Sequence, residues 1–379
     1  MKNCNTKEQQ TNRRSPLLGR PTVKSFASGR GMASVTLTLA ASLVLAGTAV
    51  AGPVVREATG ANAAAIQAAV EAFRNDLGGP NNGVTPGSQP TGRREINWDG
   101  GGAAATATIF PVPSTAFANR GAVFVTPGSG FESSGQPSPE FGDLNGGYPN
   151  LFATFSAPRL FTALNSNVMD VLFSVPGNAN VPAAVTGFGS VFTDVDSATS
   201  TKLEFYAPDG TLLFERFVPA TPGSESLSFV GVSFDAGEVV ARVHIISGNA
   251  APGPDEGGNL DLVVMDDFIY SEPVSTSGLT IAPSSGTLFR TGAFDIVVKL
   301  DRSLNVVSGQ LRLDRSDVTG PFASCVRDAT PGNEGTSFRC PAPRGFLPVG
   351  EHVLQVEFTL SDRTRVRNAV RWMIVNIEP

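Results

Sequence analysis

Short runs of β-branched and aromatic residues, separated by turn signals rich in Gly, Pro, Asn and Asp, fill the chain from Glu95 to Tyr270. Apolar and polar positions alternate within them, most clearly in the run VVARVHII at residues 239–246. This period of two predicts strands that are buried on one face. About ten such strands without helical patterns between them predict two packed antiparallel sheets, and for residues 94–272 we expect a jelly roll.

A second set of strands follows the Pro- and Ser-containing boundary EPVSTSG at residues 272–278. Residues 273–379 contain about seven short apolar runs, which suits an immunoglobulin-like sandwich. The fold class is therefore predicted to be all-β, with two sandwiches in series. The spacing of Cys325 and Cys340 is too short for the inter-sheet bridge of antibody domains, so a bridge here would close a local loop.

Residues 58–77 show a different pattern, in which Ala dominates and apolar residues recur at helical spacing. Ile66, Val70, Phe73 and Leu77 lie on one face, and Gly-Gly-Pro at residues 78–80 ends the pattern. We predict one short helix, followed by a Gly/Pro-rich linker, within residues 52–93. The pattern leaves open whether the helix packs on the sandwich or projects from it.

Residues 1–51 have the features of a signal peptide. A basic region precedes the apolar run at residues 35–50, which ends in Ala49-Val50-Ala51. A basic region, a short apolar stretch and an A-x-A site together predict cleavage after Ala51. The alternative is a membrane anchor, but the run is short and no cationic stop follows it. We expect an exported protein, extracellular, periplasmic or at the cell surface, with no membrane span in the mature chain.

The charge balance argues against nucleic acid as a partner. The formal net charge is -6, and removing the first 51 residues, which hold seven Lys/Arg and one Glu, leaves -12. Such a surface repels phosphate backbones.

Export also bears on the cysteines, since Cys325 and Cys340 remain as an even pair in an oxidising compartment. We predict a disulfide between them; a metal pair would lack further Cys or His ligands nearby.

Four segments carry a resemblance to a known group of proteins: VTGFGSVFTDV from Val185, LSFVGVSF from Leu227, VARVHIISG from Val240, and the run LDLVVMDDFIYSEP. Together they resemble an uncharacterised family of secreted bacterial β-sandwich modules over residues 94–272. More broadly, the chain is similar to galactose-binding-like and carbohydrate-binding jelly rolls. The resemblance implies export and the jelly-roll fold but no activity, and in such modules an Asp of the apolar-Asp-Asp-apolar pattern often helps to hold calcium.

Two pairs of carboxylates are the candidate metal ligands, and calcium is the candidate cofactor. Adjacent strand residues face opposite ways, so one of Asp266 and Asp267 should point inward or lie at an edge, where it needs a partner or a metal ion. The alternative is an aspartate that accepts backbone N–H bonds at a strand end. Asp194 and Asp196 share a face and could hold a hard cation, although D-V-D-S also begins turns.

Other polar and aromatic residues are expected to be structural. His244 and His352 fall in different domains and in no metal-binding motif, and Asp255-Glu256 lies in a Gly/Pro-rich loop. Trp98 either stacks on a sugar or, as the phase of the strand favours, lies in the core.

No nucleophile elbow, P-loop or dinucleotide-binding turn occurs in the sequence. We therefore expect an exported binding or surface-structural protein that recognises carbohydrate, with an extracellular glycan or cell-surface component as its partner. A secreted hydrolase of polysaccharides, with two carboxylates set by the fold, is an alternative. An adhesive or structural protein without a small ligand is another. The sequence does not decide the oligomeric state.

Overall fold

The computed structural model describes residues 52–253, 260–289, 293–300, 306–322, 326–328 and 336–376. The predicted signal peptide, Cys325 and Asp255-Glu256 lie outside these residues. The predicted all-β fold class is confirmed, because nearly all regular structure is antiparallel strand.

Among the described residues, the first sandwich has fourteen strands and one long helix, and the second has nine strands and one turn of helix. The elements of the first are β1 Val54–Gly60, α1 Ala63–Leu77, β2 Arg93–Ile96, β3 Thr108–Phe110, β4 Ala122–Val125, β5 Gly130–Ser133, β6 Phe161–Leu164, β7 Val168–Val175, β8 Asn178–Ala184, β9 Gly187–Thr193, β10 Lys202–Tyr206, β11 Leu212–Phe217, β12 Leu227–Ser233, β13 Arg242–Ile246 and β14 Val264–Ser271. Strand β15, Val274–Ser275, joins the two sandwiches. Those of the second are β16 Leu279–Ala282, β17 Gly286–Phe289, β18 Phe294–Leu300, β19 Val306–Leu313, β20 Ser316–Asp317, α2 Thr319–Phe322, β21 Val326–Asp328, β22 Thr336–Ala342, β23 Gly350–Leu360 and β24 Arg365–Val375.

The first sandwich is a jelly roll. One sheet has the order β1-β12-β9-β14-β6-β5-β3, and the facing sheet has the order β11-β10-β13-β7-β8. From β6 onward the chain crosses repeatedly between them: β6, β9, β12 and β14 belong to the first sheet, whereas β7, β10 and β13 belong to the second. Two interlocked Greek keys of this kind define the jelly roll. Alternate residues of both sheets fill the space between them, including Phe161, Phe188 and Phe268.

The second sandwich has the strand order of an immunoglobulin-like domain. A four-stranded sheet, β16-β18-β22-β21, packs against the sheet β20-β19-β23-β24, to which β17 adds in parallel at β24. These orders correspond to the A-B-E-D and C-F-G sheets of that fold. Trp372 is fully buried in its core.

A single short strand makes the two sandwiches continuous. β15 pairs antiparallel with β8 of the jelly roll and parallel with β24 of the second sandwich. Val274 and Ser275 are buried there. One sheet therefore runs through both sandwiches, and Glu238 in the loop after β12 contacts Arg371 of β24.

The helix is shorter than predicted and has a defined place. It begins at Ala63, with Asn62 as N-cap, whereas residues 58–60 belong to β1, which pairs with β12 at the edge of the first sheet. The Ala-rich composition concealed this strand because Ala favours helix. Ile66, Val70 and Phe73 are buried against Phe229 and Ile269 on the outer face of that sheet.

Trp98 is a core residue, as the phase of its strand favoured. Its side chain is 4% exposed and stacks on Phe161 with ring centroids 3.7 Å apart. Sugar stacking on this ring would need the aromatic cluster to open. In the part of the chain that the structure describes, no helix combines the length and apolar character needed to cross a membrane.

Candidate functional site

Asp266 and Asp267 lie together on the outer face of β14 because the strand bulges between them. The register with β9 shifts between Asp266 and Phe268, so Asp267 is the extra residue. Phe268 faces the sandwich interior, and Ser156 Oγ contacts both carboxylates, at 3.3 Å to Asp266 Oδ1 and 2.6 Å to Asp267 Oδ1. The expectation that the two carboxylates point in opposite directions is wrong, because a bulge puts two residues opposite one.

The protein itself occupies the oxygens of Asp266. Oδ2 accepts the backbone N–H groups of Phe155 and Ser156 at 2.7 and 3.0 Å, and Oδ1 accepts that of Asp267 at 2.8 Å. Burial, and then the charge of Asp267, raises the pKa of Asp266 well above its usual range. Burial also raises the pKa of Asp267, against the opposing effect of Ser156 and Arg74. Asp266 therefore anchors the 155–156 loop to the sheet.

This arrangement does not fit a calcium ion, because the groups that face Asp266 are N–H and O–H donors and Arg74 faces Asp267 at 3.4 Å. Asp194 follows β9, and Asp196 Oδ1 accepts the N–H of Gly223 at 2.7 Å. Among the described residues, no three His, Cys, Asp or Glu side chains form a group that could hold a metal. Calcium at these four aspartates therefore stays an untested expectation of the sequence, and the contacts of Asp266 and Asp267 do not favour it.

The two histidines both pair with an aspartate. His244 Nδ1 lies 2.7 Å from Asp170 Oδ1 on the outer face of the second jelly-roll sheet. His352 is buried in the second sandwich, with Nδ1 2.5 Å from Asp314 Oδ2 and Nε2 3.0 Å from the carbonyl of Pro348. Cys340 is buried on β22, and since Cys325 lies outside the described residues, the disulfide stays a prediction.

The main candidate site is a cleft of about 470 Å³ between the two sandwiches, which we call the cleft. Its volume falls within the range of about 300–1,000 Å³ that ligand pockets occupy. One wall consists of jelly-roll residues from the end of α1, the 90–91 segment and the β12–β13 loop. The other wall is one face of the β19-β23-β24 sheet, which we call the polar face: Gln310, Arg312, Gln355, Glu357, Arg365 and Arg367.

Strict alternation along three neighbouring strands creates the polar face. In register, Gln310 lies opposite Glu357, which lies opposite Arg367, and Arg312 lies opposite Gln355. The residues between them, such as Leu311, Val356 and Val366, point into the core of the second sandwich. The patterns QLRL, LQVEF and RVR in the sequence contain this face. None of these patterns predicts the site by itself, because pairing of distant strands brings the six residues together.

Arginine charge dominates the polar face. Glu357 Oε1 accepts Arg365 Nε at 2.9 Å, and Oε2 accepts Arg367 Nε at 2.6 Å. Burial alone would raise the pKa of Glu357, but the charges of Arg367 and Arg365 outweigh it and lower that pKa. A carboxylate held ionised in this way is a poor general acid.

No protein family matches the sequence, and no curated protein matches it either. Among solved structures, the fibronectin(III)-like modules of Clostridium thermocellum CbhA are 10% identical, with a TM-score of 0.19, over 56% of this chain and 87% of that chain. A β-1,2-glucanase from Parabacteroides distasonis is 11% identical, with a TM-score of 0.19, over 79% of this chain and 39% of that chain. Similarities this weak carry no argument about function.

Proposed function

We propose that this chain is an exported, non-catalytic binding protein that holds an extracellular glycan in the cleft. The observation that supports the proposal is the polar face, a regular array of planar amide and guanidinium groups that lines a cavity of about 470 Å³. Sugar hydroxyls need such donors and acceptors at fixed positions, and side chains on strands hold them more firmly than side chains on loops do. Export rests on the signal-peptide features of residues 1–51.

The backbone and side-chain links between the two sandwiches suit a pre-formed binding site. β15 links their sheets, and Arg371 Nη2 of β24 lies 3.3 Å from Glu238 Oε1 in the β12–β13 loop. Both walls of the cleft are therefore held by backbone pairing and by side-chain contacts. A pre-formed site of this kind loses little conformational entropy when a ligand binds.

Blocking the cleft tests the proposal. Gln310 is exposed and lines the cleft, so Gln310→Trp should fill it at little cost in stability. We expect the wild type to bind one or more glycans on an array and to sediment with the matching insoluble polysaccharide, and Gln310→Trp to lose at least about tenfold in affinity. Thr280→Trp, on the opposite sheet, is the matched control and should bind normally.

Absence of any glycan binding by the wild type would overturn the proposal. Equal loss of binding in both tryptophan variants would place the site elsewhere. Self-association of the wild type without glycan binding would favour an adhesive or structural role instead.

A further inference from the structure

Three arginines and one carboxylate share the polar face, so positive charge exceeds negative charge there. The side chains of Arg365, Arg367 and Glu357 are 12%, 13% and 17% exposed. Both guanidinium groups bind the same carboxylate, which can neutralise only one of them. Arg312 lies in the adjacent row, directly opposite the exposed Asp317 of β20, with which it interacts by charge but forms no hydrogen bond.

The acidic residues of the opposite wall do not offset this excess. Asp76 is bound by Arg56 through two contacts, Nε to Oδ2 at 2.7 Å and Nη2 to Oδ1 at 3.1 Å. Asp235 is paired with Arg315 in a short contact. Each of these carboxylates already has its own arginine. Counting Glu357 and the exposed Asp317, which lies opposite Arg312, against three arginines leaves about one positive charge uncompensated on this side of the sheet.

Free hydrogen-bond donors lie where that charge is concentrated. Arg367 uses Nε for Glu357, whereas its two Nη groups donate to no described residue. Gln355, 8% exposed and opposite Arg312 in the register, has no side-chain hydrogen bond to the described part of the chain. Gln355 lies between the two arginines, directly opposite Arg312 and diagonal to Arg367, at the spacing of about 5–8 Å that such neighbours have on a sheet face. A group bound beside Gln355 is therefore within reach of both long arginine side chains.

We propose that the cleft recognises its ligand through an oxyanion (a carboxylate, sulfate or phosphate group) bound by Arg312, Arg367 and Gln355. The inference rests on the proposed glycan-binding function and specifies the chemical class of the glycan. Guanidinium forks match the geometry of planar and tetrahedral oxyanions. The whole chain carries a net charge of -6, so a cationic face on it is a local feature and not part of a generally basic surface.

Burial and the neighbouring positive charges both favour an anion beside Arg367. Burial lowers the pKa of Arg367, Glu357 offsets this effect only in part, and the nearby Arg365 and Arg312 lower it further. A bound oxyanion would relieve that repulsion. Such an ion placed between Arg312 and Arg367 would therefore stabilise both the complex and the fold.

A matched pair of ligands tests the charge requirement. Oligogalacturonate and its fully methyl-esterified form differ only in the carboxylate, and a sulfated oligosaccharide and inorganic phosphate distinguish the possible oxyanions. We expect at least one anionic probe to bind at least about tenfold more tightly than the neutral ester, as one or more charge-assisted hydrogen bonds imply. Affinity should fall as salt is raised.

Arg312→Gln and Arg367→Lys should each weaken binding of the anionic probe by about tenfold or more, while Arg339→Gln on the other sheet leaves it unchanged. Melting temperatures of all variants without ligand check that they fold. Equal binding of the acid and its ester, abolished by Gln310→Trp, would overturn the anion inference and leave glycan binding intact. Failure of the carboxylate, sulfate and phosphate probes alike would also overturn it.

Discussion

The outer face of β14 and the polar face of the second sandwich both place charged side chains among mostly buried surroundings, yet they differ in what satisfies those charges. At Asp266, backbone N–H groups and Ser156 occupy the carboxylate oxygens. At the polar face, the Nη groups of Arg367 make no hydrogen bond to a described residue, and Arg312 meets only the exposed Asp317 opposite it; both arginines line a cavity. A saturated polar group stabilises the fold, whereas an unsaturated one beside open space can bind a ligand.

The comparison also shows that a recognisable sequence motif and a candidate binding site need not coincide. The Asp-Asp pair is conspicuous in the sequence, but the groups around it are hydrogen-bond donors that attach the 155–156 loop to the sheet. The polar face has no motif, but pairing of three strands collects its charges. The difference between the two regions can be tested by removing charges from each and comparing stability with binding.

The largest effect is expected for Asp266→Ala. Three backbone N–H groups, those of Phe155, Ser156 and Asp267, would lose their acceptor in a buried place. We expect a loss of at least about 3 kcal/mol in the free energy of unfolding, measured by urea denaturation. Asp196→Ala, which removes the acceptor of one N–H in a turn, should cost about 1 kcal/mol.

Thermal unfolding of the wild type, measured with calcium and then with excess chelator, complements that measurement. We expect equal melting temperatures, because the donors around Asp266 leave no oxygen free for a cation. A calcium-dependent rise of several degrees would contradict this interpretation and restore Asp266, Asp267, Asp194 and Asp196 as candidate ligands.

Glu132→Gln should give the next largest effect, and its sign depends on pH. Burial, followed by the charge of Asp143, raises the pKa of Glu132 to about 7 from 4.5. The folded state therefore holds a proton that the unfolded state releases between these values, so stability falls as pH rises through this window. The shift corresponds to about 3 kcal/mol at most above pH 7.

Glu132→Gln stays neutral, so it should be more stable than the wild type at about pH 8 and similar at about pH 4. Urea midpoints at both pH values provide the measurement. Glu215→Gln removes an exposed carboxylate of the facing jelly-roll sheet and is the control. If the stability of Glu132→Gln relative to the wild type is no higher at about pH 8 than at about pH 4, the carboxyl of Glu132 ionises normally in the folded protein.

His352→Gln should have a smaller effect on stability. Here the folded state favours the charged form of the side chain, whereas at Glu132 it favours the neutral form. Both ring nitrogens face acceptors, Asp314 and the carbonyl of Pro348, so both must donate. Burial disfavours the charged ring, but the hydrogen bond and charge of Asp314 outweigh it and raise the pKa of His352. Its contribution is complete below the unfolded pKa of about 6.5 and is lost as pH rises through the folded pKa.

We therefore expect His352→Gln to cost about 1–3 kcal/mol at about pH 6 and less at about pH 9. Thermal or urea unfolding across this range measures the difference from the wild type. His244→Gln, which alters a half-buried contact with Asp170, is the comparison. A deficit for His352→Gln that grows with pH would contradict the assigned protonation.

Periodicity in the sequence predicted the strands, the two sandwiches and the burial of Trp98, because each depends on which face of one strand is apolar. The helix start at Ala63 was missed because the Ala-rich run includes the end of a strand. The bulge at Asp267 could not be predicted, since it depends on the register between β14 and β9. The polar face depends on pairing of β19 with β23, whose partner residues lie about 45 positions apart in sequence, and alternation within one strand does not reveal such pairing.

Arg312→Gln should have the smallest effect on stability and therefore gives the sharpest contrast with Asp266→Ala. Arg312 is exposed, makes no contact that would leave a buried partner unsatisfied, and adds repulsion to Arg367. We expect its free energy of unfolding to stay within about 0.5 kcal/mol of the wild type, measured by the same urea titration. A loss as large as that of Asp266→Ala would mean that Arg312 holds the two sandwiches together, and the polar face would then resemble β14, where charge serves the fold. An unchanged stability, together with the weaker anion binding expected of this variant, would assign its charge to ligand binding and not to the fold.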